Sequence, residues 1–169
     1  MLGRAIFSIG LSLAAMLCQA GLALAQQAAR GEAIITLDGD SYALAVFECR
    51  HGYPSPIDPA RTIALALSAA PVGTPEDLLE RLRENGDGGD NLEAVNAVLA
   101  RGALLSVGHY ADGEDVVTFF PTPNLDDAVI VYSKDGLLDV TDHSVAGTVA
   151  ASTMGGTPLG DLTLSAACP

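Results

Sequence analysis

Along most of the chain, apolar residues recur at every second position, the period of a strand with one face buried. In "TIALALSAA", Ile63, Leu65 and Leu67 alternate with Thr62, Ala64, Ala66 and Ser68. "GDLTLSAACP" places Leu162, Leu164, Ala166 and Cys168 on one face and Asp161, Thr163 and Ser165 on the other. In "SYALAVFECR" the face Ala43, Ala45, Phe47 and Cys49 carries a second cysteine, so both cysteines are expected on the core side. Asp38-Gly39, Asp112-Gly113 and Asp135-Gly136 each interrupt an apolar stretch. Asp-Gly supplies the positive φ angles that two-residue hairpin turns need, so three antiparallel hairpins are predicted. "HSVAGTVAAS" and "LTLSAAC" add further strands.

One stretch breaks the period. "GTPEDLLERLRENGDGGDNLEAVNAVLARG" offers Thr74 as an N-cap, Pro75 at the first helical position and Glu76 and Asp77 in the first turn. Leu78, Leu79 and Leu82 form an apolar stripe. A second start at Asp90 with Glu93 three residues on resembles a capping box, with Val95, Val98 and Leu99 as the apolar side. Two short helices joined by "NGDGG" are therefore expected within about 74–101. The fold class is mainly β: an antiparallel β-sandwich or half-open barrel with a two-helix insertion and one disulfide, because a sheet with an apolar face must bury it against another layer.

The first residues change the compartment. "MLGRAIFSIGLSLAAMLCQAGLALAQQ" has one basic residue, an apolar run and an Ala23-Leu24-Ala25 ending, the layout of a secretory signal peptide spanning 1–25. A membrane anchor over the same stretch is the alternative. Lipid attachment at Cys18 is a third reading, although Ala15-Met16-Leu17 before it is a poor lipobox. Residues 26–33 then form a short flexible lead and 34–169 a single β-rich domain. The expected location is exported, periplasmic or extracellular, with no membrane insertion after cleavage.

Two of the chain's three cysteines remain after cleavage, and an even count in an exported protein favours a disulfide. Only Cys49–Cys168 is possible. It closes a loop of about 120 residues, worth about 4–5 kcal/mol in the chain-entropy model. Two free buried thiols are the alternative.

Net charge is −13, from 21 acidic and 8 basic residues, and removal of Arg4 makes it one unit more negative. Such a surface repels phosphate backbones, so nucleic acid is excluded as a partner.

Chemistry-bearing motifs are sparse. "NGDGGDNLE" lacks the Gly and Glu spacing of a calcium loop. Asp112, Glu114 and Asp115, and Asn124, Asp126 and Asp127, are weak loop-tip calcium candidates that turn chemistry also explains. His51, His109 and His143 lie in unrelated stretches without zinc-helix spacing. No G-x-S-x-G is present. The sequence assigns no catalytic residue, no metal ligand and no cofactor. "CRHGYPSPIDP" is the candidate contact surface, with His51, Tyr53, Pro54 and Pro56 as its binding residues, since proline stiffness lowers the entropy lost on binding.

The strand-turn "ITLDGDSY", the strand ending in Cys49, "TIALALS", "SKDGLLDVTDHSVAGTVA" and the closing "LTLSAAC" together resemble the LpqH-type lipoprotein antigen family of mycobacteria and its bacterial relatives, over 34–50 and 128–168. The resemblance implies a small exported β domain of the cell envelope, with a disulfide between an early and a last strand and no established enzymatic activity. The helical insert is longer than that family's pattern. The functional expectation is a non-catalytic envelope module binding an unknown protein or a small apolar ligand. The alternatives are a periplasmic inhibitor presenting the "HGYPSPIDP" loop, or a hydrolase with a spatially assembled site such as Asp142 and His143.

Overall fold

The computed structural model describes residues 28–84, 92–134 and 136–169. Among them nine strands form one antiparallel sheet: β1 Glu32–Leu37, β2 Asp40–Pro54, β3 Thr62–Pro71, β4 Leu104–Tyr110, β5 Asp115–Phe120, β6 Val129–Ser133, β7 Leu138–Val140, β8 Ser144–Ser152 and β9 Pro158–Ala167. Their order is β6-β5-β4-β3-β2-β1-β9-β8-β7. The sheet curls until β6 approaches the end of β8, through a bridge between Val129 and Thr153 and a hydrogen bond from Met154 N to Ala128 O. It is a half-barrel filled on its concave side by alternating residues, including Ile35, Leu44, Val46, Leu67, Leu105, Val117, Phe119, Val145, Leu162 and Leu164.

The Asp38-Gly39 and Asp112-Gly113 turns join paired neighbours, β1 to β2 and β4 to β5, as their chemistry predicts. Asp38 and Gly39 adopt φ of 50° and 86°. The third expected hairpin does not form: β6 pairs with β5 and β7 with β8, so the segment around Gly136 passes the chain between different partners. Asp135 itself lies outside the described residues. The predicted lead 26–33 is partly strand, since β1 begins at Glu32 and Ala33 is fully buried opposite Ala166. The first 27 residues lie outside the described set; among the described residues no helix is long and apolar enough to cross a membrane.

Helices α1 Glu76–Glu84 and α2 Leu92–Leu99 pack on the convex face. Leu82, Val98 and Leu99 are buried there with Ala70 and Leu104, and Phe47 and Phe120 flank them. Asp90 and the "NGDGG" connection lie outside the described residues. Thr74 does not cap α1 forward; its hydroxyl donates to Pro71 O at 2.6 Å and closes the preceding turn.

β2 departs from simple alternation. Leu44 and Val46 point into the half-barrel, so Ala43 and Ala45 do not. A bulge between Val46 and Glu48 then inserts one residue opposite Ala69 and Ser68. Phe47 joins the helix-covered patch outside, and the altered phase returns Cys49 to the interior. The predicted face Ala43, Ala45, Phe47, Cys49 is therefore wrong, while the inward Cys49 stands. The Cys49–Cys168 disulfide joins β2 to the end of β9, with Cα atoms 5.8 Å apart. β1 lies between these strands in the sheet but stops at Glu32, and the staple closes the gap beyond it.

A second irregularity, between Ile63 and Leu65 against β4, divides β3. Leu65 and Leu67 enter the interior cluster, whereas Ile63, expected beside them, lines a groove on the outer face.

Candidate functional site

That groove, about 290 Å³, lies on the convex face beyond the helices. Strand register lays out its floor as two rungs. Glu48, Ser68, Ser106 and Thr118 pair in succession across β2, β3, β4 and β5; one step along, Arg50, Ala66, Gly108 and Val116 do the same. Small side chains in the middle of each rung leave the space, and Tyr53, Pro56, Ile57 and Tyr110 bound it. The first rung offers three hydroxyls and a carboxylate; the walls are aromatic and aliphatic.

The β2–β3 loop overhanging this floor is held locally. Ser55 N donates to Arg61 O (2.8 Å) and Arg61 N to Asp58 O (2.9 Å). Arg61 reaches across to the β4–β5 turn, donating from Nε and Nη2 to the two Asp112 carboxylate oxygens (3.1 and 2.9 Å) and from Nη1 to Glu114 (3.4 Å). This fork geometry is the strongest form of an arginine–carboxylate pair. The Arg61 hydrogen bonds hold the Asp112 carboxyl below its ordinary value of 3.8, and the same pair raises Arg61. The guanidinium also lies 3.9 Å over the Tyr110 ring, and the Tyr110 hydroxyl is 3.4 Å from buried Ser55. Asp112 and Glu114 are thus occupied by Arg61 and are no calcium pair. In the other acidic cluster, Asn124 Oδ1 accepts from Asp126 N and Asp127 accepts from Thr122, which is turn chemistry.

The predicted contact residues separate. Tyr53 and Pro56 line the groove; Arg50 lies 4.2 Å over the Tyr53 ring. Pro54 is exposed at the end of β2. His51 shares the face of Cys49 and sits at the barrel mouth instead, its Nε2 3.9 Å from Cys49 Sγ. There it meets His143, from the β7–β8 turn, with ring centroids 6.2 Å apart. Cys168 N donates to His143 O at 2.8 Å, which fixes the turn against the end of β9. Two histidines unrelated in sequence are therefore neighbours.

A histidine–aspartate pair does exist, but between His109 and Asp115. These residues face each other across β4 and β5, and His109 Nδ1 donates to Asp115 Oδ1 at 2.7 Å. Asp115 is 2% exposed, and its other oxygen accepts from Leu138 N at 3.2 Å, tying β7 to β5. Asp142 and His143 are exposed turn residues, and His143 N donates to Thr141 Oγ1. At the opposite mouth a hollow of about 210 Å³ is lined by Tyr42, Asp40, Thr122 and Asp127; burial and the nearby Asp40 charge raise the Tyr42 hydroxyl.

Sequence reasoning missed Glu48, Arg50, Ser68, Ser106, Gly108 and Thr118. The available signal was a run of small residues on the polar face of β3, Ala66 and Ser68, where a solvent-facing strand ordinarily carries long side chains.

No protein-family model, curated protein or solved structure matches this chain.

Proposed function

We propose that the protein is an exported, non-catalytic binding module of the cell envelope whose outer groove holds a small amphipathic ligand. The observation that carries this reading is the pair of rungs across β2 to β5, walled by a loop that is already ordered. A preformed concave site with a few convergent polar groups is the general form of a small-ligand site. The hydroxyl rung Ser68, Ser106 and Thr118 suits an edge bearing hydroxyl or amide groups, while Tyr53, Ile57 and Tyr110 suit an apolar face. Such a floor favours an amphipathic ligand over a purely apolar one, because an apolar ligand would leave the rung without hydrogen-bond partners. Export rests on the leader-like N-terminus and the disulfide, and the envelope location on the resemblance to the LpqH-type family.

The test is native mass spectrometry of the protein taken from its own envelope fraction, compared with Gly108→Phe. Gly108 has no positive φ, and a Cβ there meets only the Tyr110 ring, at 3.9 Å, so a larger side chain occupies the floor without backbone strain. The expected result is a small-molecule adduct on the native protein that Gly108→Phe loses while its far-UV circular dichroism is unchanged. A native protein without an adduct, or a variant that keeps it, overturns the reading.

A second reading, an inhibitor of a secreted enzyme, is favoured by one observation: Ile57 is 89% exposed at the tip of the loop that Arg61 clamps. A rigid loop with an apolar tip loses little entropy on docking. Inhibition of a secreted hydrolase that Ile57→Asp abolishes would replace the ligand-binding reading with this one.

A further inference from the structure

On the other face of β2 from the groove, the barrel mouth carries a different chemistry. Cys49 Sγ, Cys168 Sγ and one imidazole nitrogen of His51 lie within 4.8 Å of one another. They come from one strand and the chain end: Cys49 and His51 are two apart on β2, which puts both on one face, and Cys168 follows β9. In a tetrahedral zinc site, with Zn–S of about 2.3 Å and Zn–N of about 2.0 Å, donor atoms stand about 3.3–3.8 Å apart, about 3.5 Å for a sulfur and a nitrogen. The Cys49 to His51 separation, 3.9 Å, is already close to that edge. Only the two sulfurs must part, from bonding distance to about 3.8 Å. His143 is not one of the three, but its ring stands beside that of His51, with centroids 6.2 Å apart.

We propose that this cluster is a redox-gated zinc site: oxidised, it is the Cys49–Cys168 staple, and reduced, its two thiolates and His51 bind one Zn²⁺, with His143 completing the shell. Two thiolates cancel the charge of the ion, so the loaded site is electrically neutral at a partly buried position. Two sulfurs and two imidazoles form the donor set that selects zinc over hard cations.

Exchange of the staple for the ion takes two steps. A dithiol reductant attacks the disulfide; the Cys49–Cys168 S–S bond breaks as an S–S bond forms in the reductant, and two electrons and two protons pass to the protein thiols. Zn²⁺ then displaces both thiol protons to solvent and binds the thiolates and neutral imidazoles. Access is open, since His51 and His143 are exposed and Cys49 is half-buried. Because zinc binds only the dithiol form, free zinc must raise the midpoint potential, by about 30 mV for each tenfold excess over its Kd.

The experiment uses the whole purified protein with Zn²⁺ as probe. Stoichiometry and affinity are read by competition with a chromophoric chelator, in the oxidised form and after reduction by a dithiol. The midpoint is read in dithiol/disulfide buffers with and without zinc. Expected are one zinc per reduced chain, none competed for by the oxidised chain, and a zinc-dependent rise of the midpoint. His51→Ala keeps both cysteines and the staple, so its oxidised form should melt as the native protein does. Its reduced form should bind about 100-fold more weakly, and that of His143→Ala about tenfold more weakly. Equal zinc binding by the oxidised form, or affinity unchanged in His51→Ala, would assign zinc to the acidic surface and overturn the proposal. A reduced chain that neither binds zinc nor is refolded by it overturns it as well.

Discussion

Removing the buried carboxylate of Asp115 tests whether the His109–Asp115 pair is part of the framework. The carboxylate is 2% exposed and accepts from His109 Nδ1 and from Leu138 N, so it joins β4, β5 and β7 at one point. Asp115→Ala leaves the Leu138 N–H without that acceptor, a loss of about 1–3 kcal/mol for a buried donor. It also ends a charge-assisted bond to His109, whose side chain is 25% exposed and regains water, adding about 1 kcal/mol. The sum is about 3 kcal/mol. His109→Ala strands the carboxylate with one neutral donor, and leaving a buried charge without its partner costs about 3 kcal/mol. In the double variant nothing charged remains buried, so the total stays near 3 kcal/mol and the coupling energy is about 2–3 kcal/mol. The chain has no Trp, so urea unfolding is followed by far-UV circular dichroism, without reductant so that the staple stays closed. Single variants that each lose less than about 0.5 kcal/mol, or losses that simply add, would refute the framework role.

Two further outcomes follow from local geometry. Gly147 faces Leu138 in the β7–β8 pair, and a Cβ there would sit 2.8 Å from Leu138 Cδ2 and 2.9 Å from Leu137 O. The side chain can move but the carbonyl cannot, so Gly147→Ala should destabilise by about 1–3 kcal/mol and speed amide exchange in 138–140; native exchange there would show that β7 does not depend on the close approach. At the loop clamp, Arg61 depresses Asp112, so the ion pair stabilises the loop above the ordinary carboxylate value of 3.8 and is lost as pH falls through the lower folded value. Amide protection in 55–61 should therefore hold in the native protein until the pH is well below 3.8; Arg61→Gln should lower it already at neutral pH, and equal protection in both at neutral pH would remove the clamp.

Much of the fold was legible because the sheet is buried on one face, so period-two alternation reports strand and face together. That is why β9 reads correctly from Leu162 to Cys168, and why the Asp38-Gly39 turn announces its hairpin. The same local signal misled at Asp135-Gly136, since a turn dipeptide does not say which strand its arms will pair with. The site was less legible for a different reason. Ser68, Ser106 and Thr118 are ordinary surface residues singly; they become a hydroxyl row only when β3, β4 and β5 are set in register. His51 and His143 likewise have no local signature, and meet because Cys168, bonded to Cys49 on β2, also holds the β7–β8 turn through His143 O.

The bulge at Phe47 shows how one extra residue joins these parts. With strict alternation, the phase that sends Leu44 and Val46 inward would send Glu48 inward and Cys49 outward. The inserted residue instead lets two consecutive side chains leave the interior: Phe47 goes to the helix patch and Glu48 to the first rung of the groove. Cys49 and His51 then fall on the concave side, within reach of Cys168. The helix seat, the groove floor and the cysteine–histidine cluster therefore share one register choice. A chain that paired β2 without the bulge would bury a carboxylate and turn Cys49 away from its partner. The bulge is thus enforced from both faces of the sheet, by charge exclusion inside and by aromatic packing outside.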